Sequence, residues 1–178
     1  MKALLKTSFI AFVLIAFIGC KEKQTVKIDT PEQVKKEEKM TADIADQDFI
    51  DGMTGKIWHN YLEVKMALTN DDVSQVQNTA KSMAASFGKE RMEMKDLSQK
   101  MANTDDLEKQ RELFAQFTKK AGPMFEDALS GGTIYKKFCP MAFNNQGAYW
   151  YADVEEITNP YFGKKMLKCG SVKKTISK

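Results

Sequence analysis

What the 178-residue chain lacks narrows it first. It carries a single histidine, so a histidine-rich metal site and any mechanism needing two histidines are excluded. Its three cysteines are too few for a disulfide scaffold or a four-cysteine zinc site. No Cys-x-x-Cys pair is present, which excludes a thioredoxin-like redox motif, and without Cys-x-x-Cys-His there is no c-type haem attachment. Neither sign of charge dominates. Lys and Arg number 27 against 24 Asp and Glu, a net +3 with no basic stripe, which is no nucleic-acid footprint. No nucleophile–base–orienter set, phosphate-cradling glycine loop or carboxylate pair with a role stands out, so no enzyme is expected. What the chain does have in excess is methionine, eleven in all.

The N-terminus reads as an address. Lys2 and Lys6 precede an apolar run from Phe9 to Ile18 that ends in Gly19-Cys20, the layout of a secretory signal. The run is shorter than the ~20 residues of a spanning helix. Phe17-Ile18-Gly19-Cys20 resembles a bacterial lipobox, with Phe17 in place of the usual Leu. That resemblance implies lipidation at Cys20 and a cell-envelope lipoprotein of a Gram-negative bacterium, facing the periplasm from the outer or inner membrane. Removing residues 1–19 takes away two lysines and no acid, leaving 25 basic and 24 acidic residues, a net +1. Residues 20–46 are charged and free of aromatics, too polar to offset their ordering entropy, and read as a tether between lipid and a single domain over 47–178.

Apolar spacing of 3 and 4 then predicts helices. The first stripe is Phe49, Met53, Ile57, Tyr61, Val64 and Leu68. Asn70 is expected to cap a second helix, with Gly88 breaking or bending it, and Thr104-Asp105-Asp106 to start another. Gly122-Pro123 predicts a kink or break in the last stripe. The expectation is a mainly α fold, an antiparallel bundle of three or four helices. Met53, Met83, Met94 and Met101 sit at core spacing, where methionine fills irregular gaps. His59, with Glu63 four residues on, is either an ordinary surface histidine or one extra ligand for a distant sulfur site.

From Thr133 the character changes. Thr133–Tyr135, Ala148–Tyr151 and Val172–Ile176 are strand-like, separated by turn residues, so a small β or irregular cap is expected on the bundle. Cys139-Pro140-Met141 and Met166-Leu167-Lys168-Cys169 place a thiol and a thioether at i, i+2 and at i, i+3. Four soft sulfurs suit a soft cation, above all Cu(I). In an oxidising compartment Cys139 and Cys169 also suit a disulfide, the reading that spacing alone favours. Phe143, Tyr149, Trp150, Tyr161 and Phe162 are read as an aromatic surface.

The tail resembles a bacterial domain of unknown function that occurs alone in exported proteins and at the C-terminus of periplasmic adaptors of heavy-metal efflux pumps. The matching pieces are Cys139-Pro140-Met141-Ala142, Gly147-Ala148-Tyr149-Trp150, Asn159-Pro160-Tyr161-Phe162-Gly163 and Met166-Leu167 with Cys169-Gly170. Many members have a His before the Cys, where this chain has Phe138. The resemblance implies copper or silver handling, with Cys139, Met141, Met166 and Cys169 as ligands and efflux components as partners. The alternative is a non-enzymatic interaction domain of the envelope, stapled by Cys139–Cys169.

Overall fold

The computed structural model describes residues 47–178. The signal, Cys20 and the tether assigned to residues 1–46 lie outside the described residues. Helix α1 spans Gly52–Thr69. Asp51 starts it, its carboxylate accepting from the Thr54 amide at 2.8 Å and the Thr54 hydroxyl at 2.8 Å, which satisfies donors that a helix start leaves open. The stripe beginning at Phe49 therefore overreached. Asp48–Phe49 forms a short strand, β1, paired with a second, β2, at Leu129–Gly131. Asn70 closes α1 rather than capping the next helix, its amide returning to the Met66 carbonyl at 3.0 Å. Asp71 takes φ 60, a left-handed turn that short polar residues tolerate. Asp72 then caps α2, Val73–Ala85, by accepting from the Gln75 amide at 2.9 Å.

Gly88 does break the stripe, and a 3₁₀ turn at Lys89–Arg91 leads into α3, Met92–Ala102. Asp106 caps α4, Leu107–Ala128, accepting from the amides of Glu108 and Lys109. The break expected at Gly122-Pro123 is absent, and α4 runs through Pro123. Pro123 is exposed, so water can take the carbonyl left without an amide partner. The bundle thus has four helices.

Its core is aromatic. Trp58 stacks on Tyr61 at 5.8 Å, Tyr61 on Phe114 at 4.8 Å, and Phe125 sets its edge to both Trp58 and Tyr61. Met83 and Met101 are fully buried and Met94 packs partly against the core, as their spacing suggested. Met53 does not belong there. It is 39% exposed, its sulfur accepting from Arg91 Nη1 at 3.2 Å, while the next residue, Thr54, bonded to Asp51, is the buried one of that turn.

The cap is a three-stranded antiparallel sheet in the order β4–β3–β5, with β3 at Thr133–Cys139, β4 at Ala148–Ala152 and β5 at Ser171–Ser177. A bulge at Lys136/Lys137 shifts the register between β3 and β5. The extra residue is Lys173 on β5, while β3 pairs with β4 without a shift. Ile134 is buried before the bulge, Lys137 and Cys139 after it. Bundle and cap share one core. The Tyr61 hydroxyl sits 3.0 Å from Thr118 Oγ1 and accepts from the Tyr151 amide at 3.0 Å, while Phe125 meets the Tyr151 ring at 6.1 Å. Among the described residues no helix is long and apolar enough to cross a membrane.

Candidate sulfur site

Cys139 is the last residue of β3, and exposed Pro140 ends the strand by withholding an amide. Cys169 lies two residues before β5. Because Phe138 pairs with Ser171, the register brings the two thiols together across neighbouring strands. Their sulfurs are 2.7 Å apart with no bond between them, Cys139 buried and Cys169 half-buried. Gly170 lets this crossing close. Its φ is +138, and a Cβ there would stand 2.6 Å from the Trp150 ring and 3.0 Å from the Phe138 carbonyl.

The methionines of both motifs adjoin Cys169 through their backbones. The Met141 amide donates to the Cys169 sulfur, and the Cys169 amide donates to the Met166 carbonyl at 3.1 Å, closing the helical turn expected for that pair. Their side chains face outward, Met141 46% and Met166 36% exposed. Burial pushes the Cys169 thiol up to about 11, the Cys139 thiol beside it adds to this, and the Met141 amide pulls the other way. The amide is thus the feature that favours a thiolate, the form that binds metal.

The frame around the pair is polar and was not legible from motif spacing. Asn159 is fully buried. Its amide nitrogen donates to the Cys169 carbonyl at 2.6 Å, and its oxygen accepts from the backbone amides of Tyr161 and Phe162. The Pro160 carbonyl accepts from Arg111 Nε at 3.1 Å, and Arg111, 1% exposed, also grips Asp71 and Glu108 at 2.6 Å each. Gly163, at φ +53, leaves room for that guanidinium and for Asp71, which a Cβ would meet at 2.6 and 2.1 Å. The Asn-Pro-Tyr-Phe-Gly stretch is therefore a buried joint tying the Cys169 loop to α4 and the α1–α2 turn. Asp71 and Arg111 lie forty residues apart, so local pattern could not pair them.

Lys137 was also missed. It lies two residues before Cys139 on the same face of β3, directly opposite Trp150, and is completely buried. Its ammonium donates to the Glu156 carbonyl at 2.6 Å. Burial, then the nearby Lys65 charge, lower it to about 7. Lys65, also buried, pairs with Asp153 at 3.6 Å, and burial lowers its pKa too. The only sequence sign was Lys136-Lys137 interrupting a strand.

The other candidates separate. His59 bonds Glu63 at 3.1 Å on α1, its side chain 43% exposed. Among the described residues no group of three or more His, Cys, Asp and Glu is placed to hold a metal, so any metal here rests on sulfur. The aromatic surface largely dissolves. Trp150 and Tyr161 are core residues, 0% and 3% exposed, because alternate residues of β4 and the Asn159 joint turn them inward. Phe143 and Phe162 are partly buried, and only Tyr149, 46% exposed, faces water.

No curated protein and no solved structure matches the chain. A family model does match, and it covers α1 from Ile57 through α4 and stops at residue 130, before the sulfur motifs. Residues 57–130 are similar to a family described as "Protein of unknown function (DUF3347)".

Proposed function

We propose that the protein is a membrane-anchored, periplasm-facing module that binds a soft cation, Cu(I) or Ag(I), in heavy-metal efflux or homeostasis. Cys139 and Cys169 would serve as thiolates, Met141 and Met166 as thioether donors. The observation that carries this reading is two outward-facing methionines beside a thiol pair. Buried methionines of the bundle fill space. Met141 and Met166 leave apolar surface in water, and packing gives no reason for them. Soft sulfur donors do, since they select Cu(I) over harder ions. Two thiolates sharing one ion stand further apart than 2.7 Å, because each metal–sulfur bond is itself about 2.3 Å for a comparable ion. The Cys169 backbone is held by Asn159 and Met166, so the wider spacing would come from rotation of the two cysteine side chains.

The 2.7 Å contact also favours a second reading, a disulfide staple. It would close a thirty-residue separation and contribute about 3–4 kcal/mol in the chain-entropy account. Cu(I) titration of the reduced protein against a chromogenic chelator, with a thiol count on protein isolated without reductant, separates the two. One equivalent bound, lost in Cys139→Ser and Cys169→Ser and weakened in Met141→Leu and Met166→Leu, supports the metal module. No free thiol on isolation and no Cu(I) uptake after reduction would leave the staple alone.

A further inference from the structure

A cleft of about 470 Å³ opens between α4 and the β3–β4 edge; neither cysteine lines it, although Ala148 in its wall pairs with Cys139 across the strands. Its volume falls in the range of small-molecule sites. Phe143, Tyr149 and Tyr151 form aromatic walls, and Gln116, Lys119 and Lys136 bring the polar atoms. No aspartate or glutamate lines it. Lys136 Nζ lies 5.4 Å from the centre of the Tyr149 ring and 5.6 Å from that of Tyr151. Its counter-charge, Glu126, is already engaged by the Tyr151 hydroxyl at 2.5 Å and by Lys174 at 2.5 Å. One carboxylate thus answers Lys136 and Lys174 together, while Lys119, exposed on the rim, has no ion pair among the described contacts. The cleft carries an excess of positive charge between flat apolar walls.

A second, independent observation concerns the Phe143 wall. Phe143, Asn144 and Asn145 form one left-handed turn, with φ of 52, 56 and 65. Asparagine tolerates that conformation; a bulky aromatic does not. Such outliers persist where surrounding structure holds them, and they concentrate at ligand sites. Here the ring rests edge-on against buried Tyr161 at 5.3 Å and the turn is closed by the Gly147 amide on the Ala142 carbonyl at 2.9 Å. The strain places Phe143 in the cleft wall.

We propose that this cleft binds a small planar aromatic compound carrying an anionic group. The rings would take the planar body by stacking, and Lys119 with Lys136 would take the charge. The assignment does not rest on the metal reading, since the cleft includes neither cysteine. The probe is 8-anilinonaphthalene-1-sulfonate, with uncharged N-phenyl-1-naphthylamine as its comparison. Both are titrated into the full chain and followed by the amide chemical shifts of Gly147 and Ala148, so that binding elsewhere does not register. The sulfonate is expected to saturate and to bind about tenfold more tightly than the neutral compound. Gln116→Trp, an exposed helical position that a large ring would fill, should weaken both by about tenfold or more with an unchanged melting temperature. Lys119→Glu should weaken only the sulfonate. No saturable shift at millimolar probe, or wild-type affinity in Gln116→Trp, overturns the site. Equal affinity for both probes, unaffected by Lys119→Glu, overturns the anionic ligand class.

Discussion

The bundle and the cap hold together by different means. The bundle buries rings and aliphatic chains brought close by helical repeat, with Asp51, Asp72 and Asp106 marking its starts. The cap relies on single polar residues that reach across the chain: Arg111 to the Pro160 carbonyl, Asn159 to the Cys169 loop, Lys137 to the Glu156 carbonyl. Deleting a ring from the bundle spreads its loss over many weak contacts. Deleting one of the cap's polar joints leaves buried groups with nothing to bond, which is costly for its size. The matched family segment covers the first kind of region and stops short of the second.

The sharpest test of this contrast is whether the two regions unfold together. Trp58 lies in the bundle and Trp150 in the cap. In urea unfolding of Trp58→Phe and of Trp150→Phe, the remaining tryptophan and far-UV circular dichroism should give coincident midpoints within each variant, because Tyr61 and Phe125 belong to both cores. Separate midpoints would make the cap an independent unit. Phe125→Ala should then cost about 3–5 kcal/mol, seen equally by both reporters. Arg111→Met leaves the buried Pro160 carbonyl without its donor, while Asp71 and Glu108 keep contact with water, and should cost about 1–3 kcal/mol. It differs in kind, since the Cys169 thiol should become faster to alkylate as the Pro160 joint loosens. Asn159→Ala is expected to cost about 1–3 kcal/mol, again with faster alkylation of Cys169; a change in stability without that acceleration would remove Asn159 from the support of the site.

A smaller effect is tied to pH. Lys137 titrates near 7 in the fold against an ordinary 10.5. Below 7 both folded and unfolded chains hold the proton, and the cost of burying the ammonium is felt in full. Above 7 the folded chain releases it first, so stability should rise with pH. Lys65 is lowered in the same direction. The Cys169 thiol, raised above its ordinary 9.0, opposes the trend once pH passes that value. Melting temperature of the reduced protein should therefore climb from pH 7 to 9, and Lys137→Met should flatten the climb. Smallest is the acid side. Burial would raise the Glu126 carboxyl, but hydrogen bonds from Lys174, Tyr151 and Lys136 outweigh it and hold it at about 2. Its stabilisation should fade as pH drops from 4.5 toward 2, and Glu126→Gln should remove that portion of the acid sensitivity.

The same contrast decides what the sequence disclosed. Helices announced themselves through Ile57, Tyr61, Val64 and Leu68, a stripe that survives because neighbours three and four apart share a face. Even there the ends slipped: Asn70 closed a helix instead of opening one, and Pro123 failed to stop α4 because it met water rather than core. The three strands were placed near their positions, yet Trp150 and Tyr161 were assigned to the surface, since nothing local says which face of a short strand or joint points inward. The thiol pair was suggested by compartment and composition; its closeness depends on the β3–β5 register. Arg111, Asn159 and Lys137 were invisible because their partners lie between 10 and 49 residues away.

The bond from the Tyr151 amide to the Tyr61 hydroxyl spans ninety residues, and it sets an order of events. During synthesis α1–α4 emerge before the cap exists, and long-range contacts form late. Until β4 arrives, Tyr61 and Phe125 border an open apolar face, a sticky intermediate that a fragment ending near residue 130 would keep permanently. Expressed alone, the segment that carries the family match would be the part of this protein most prone to aggregate.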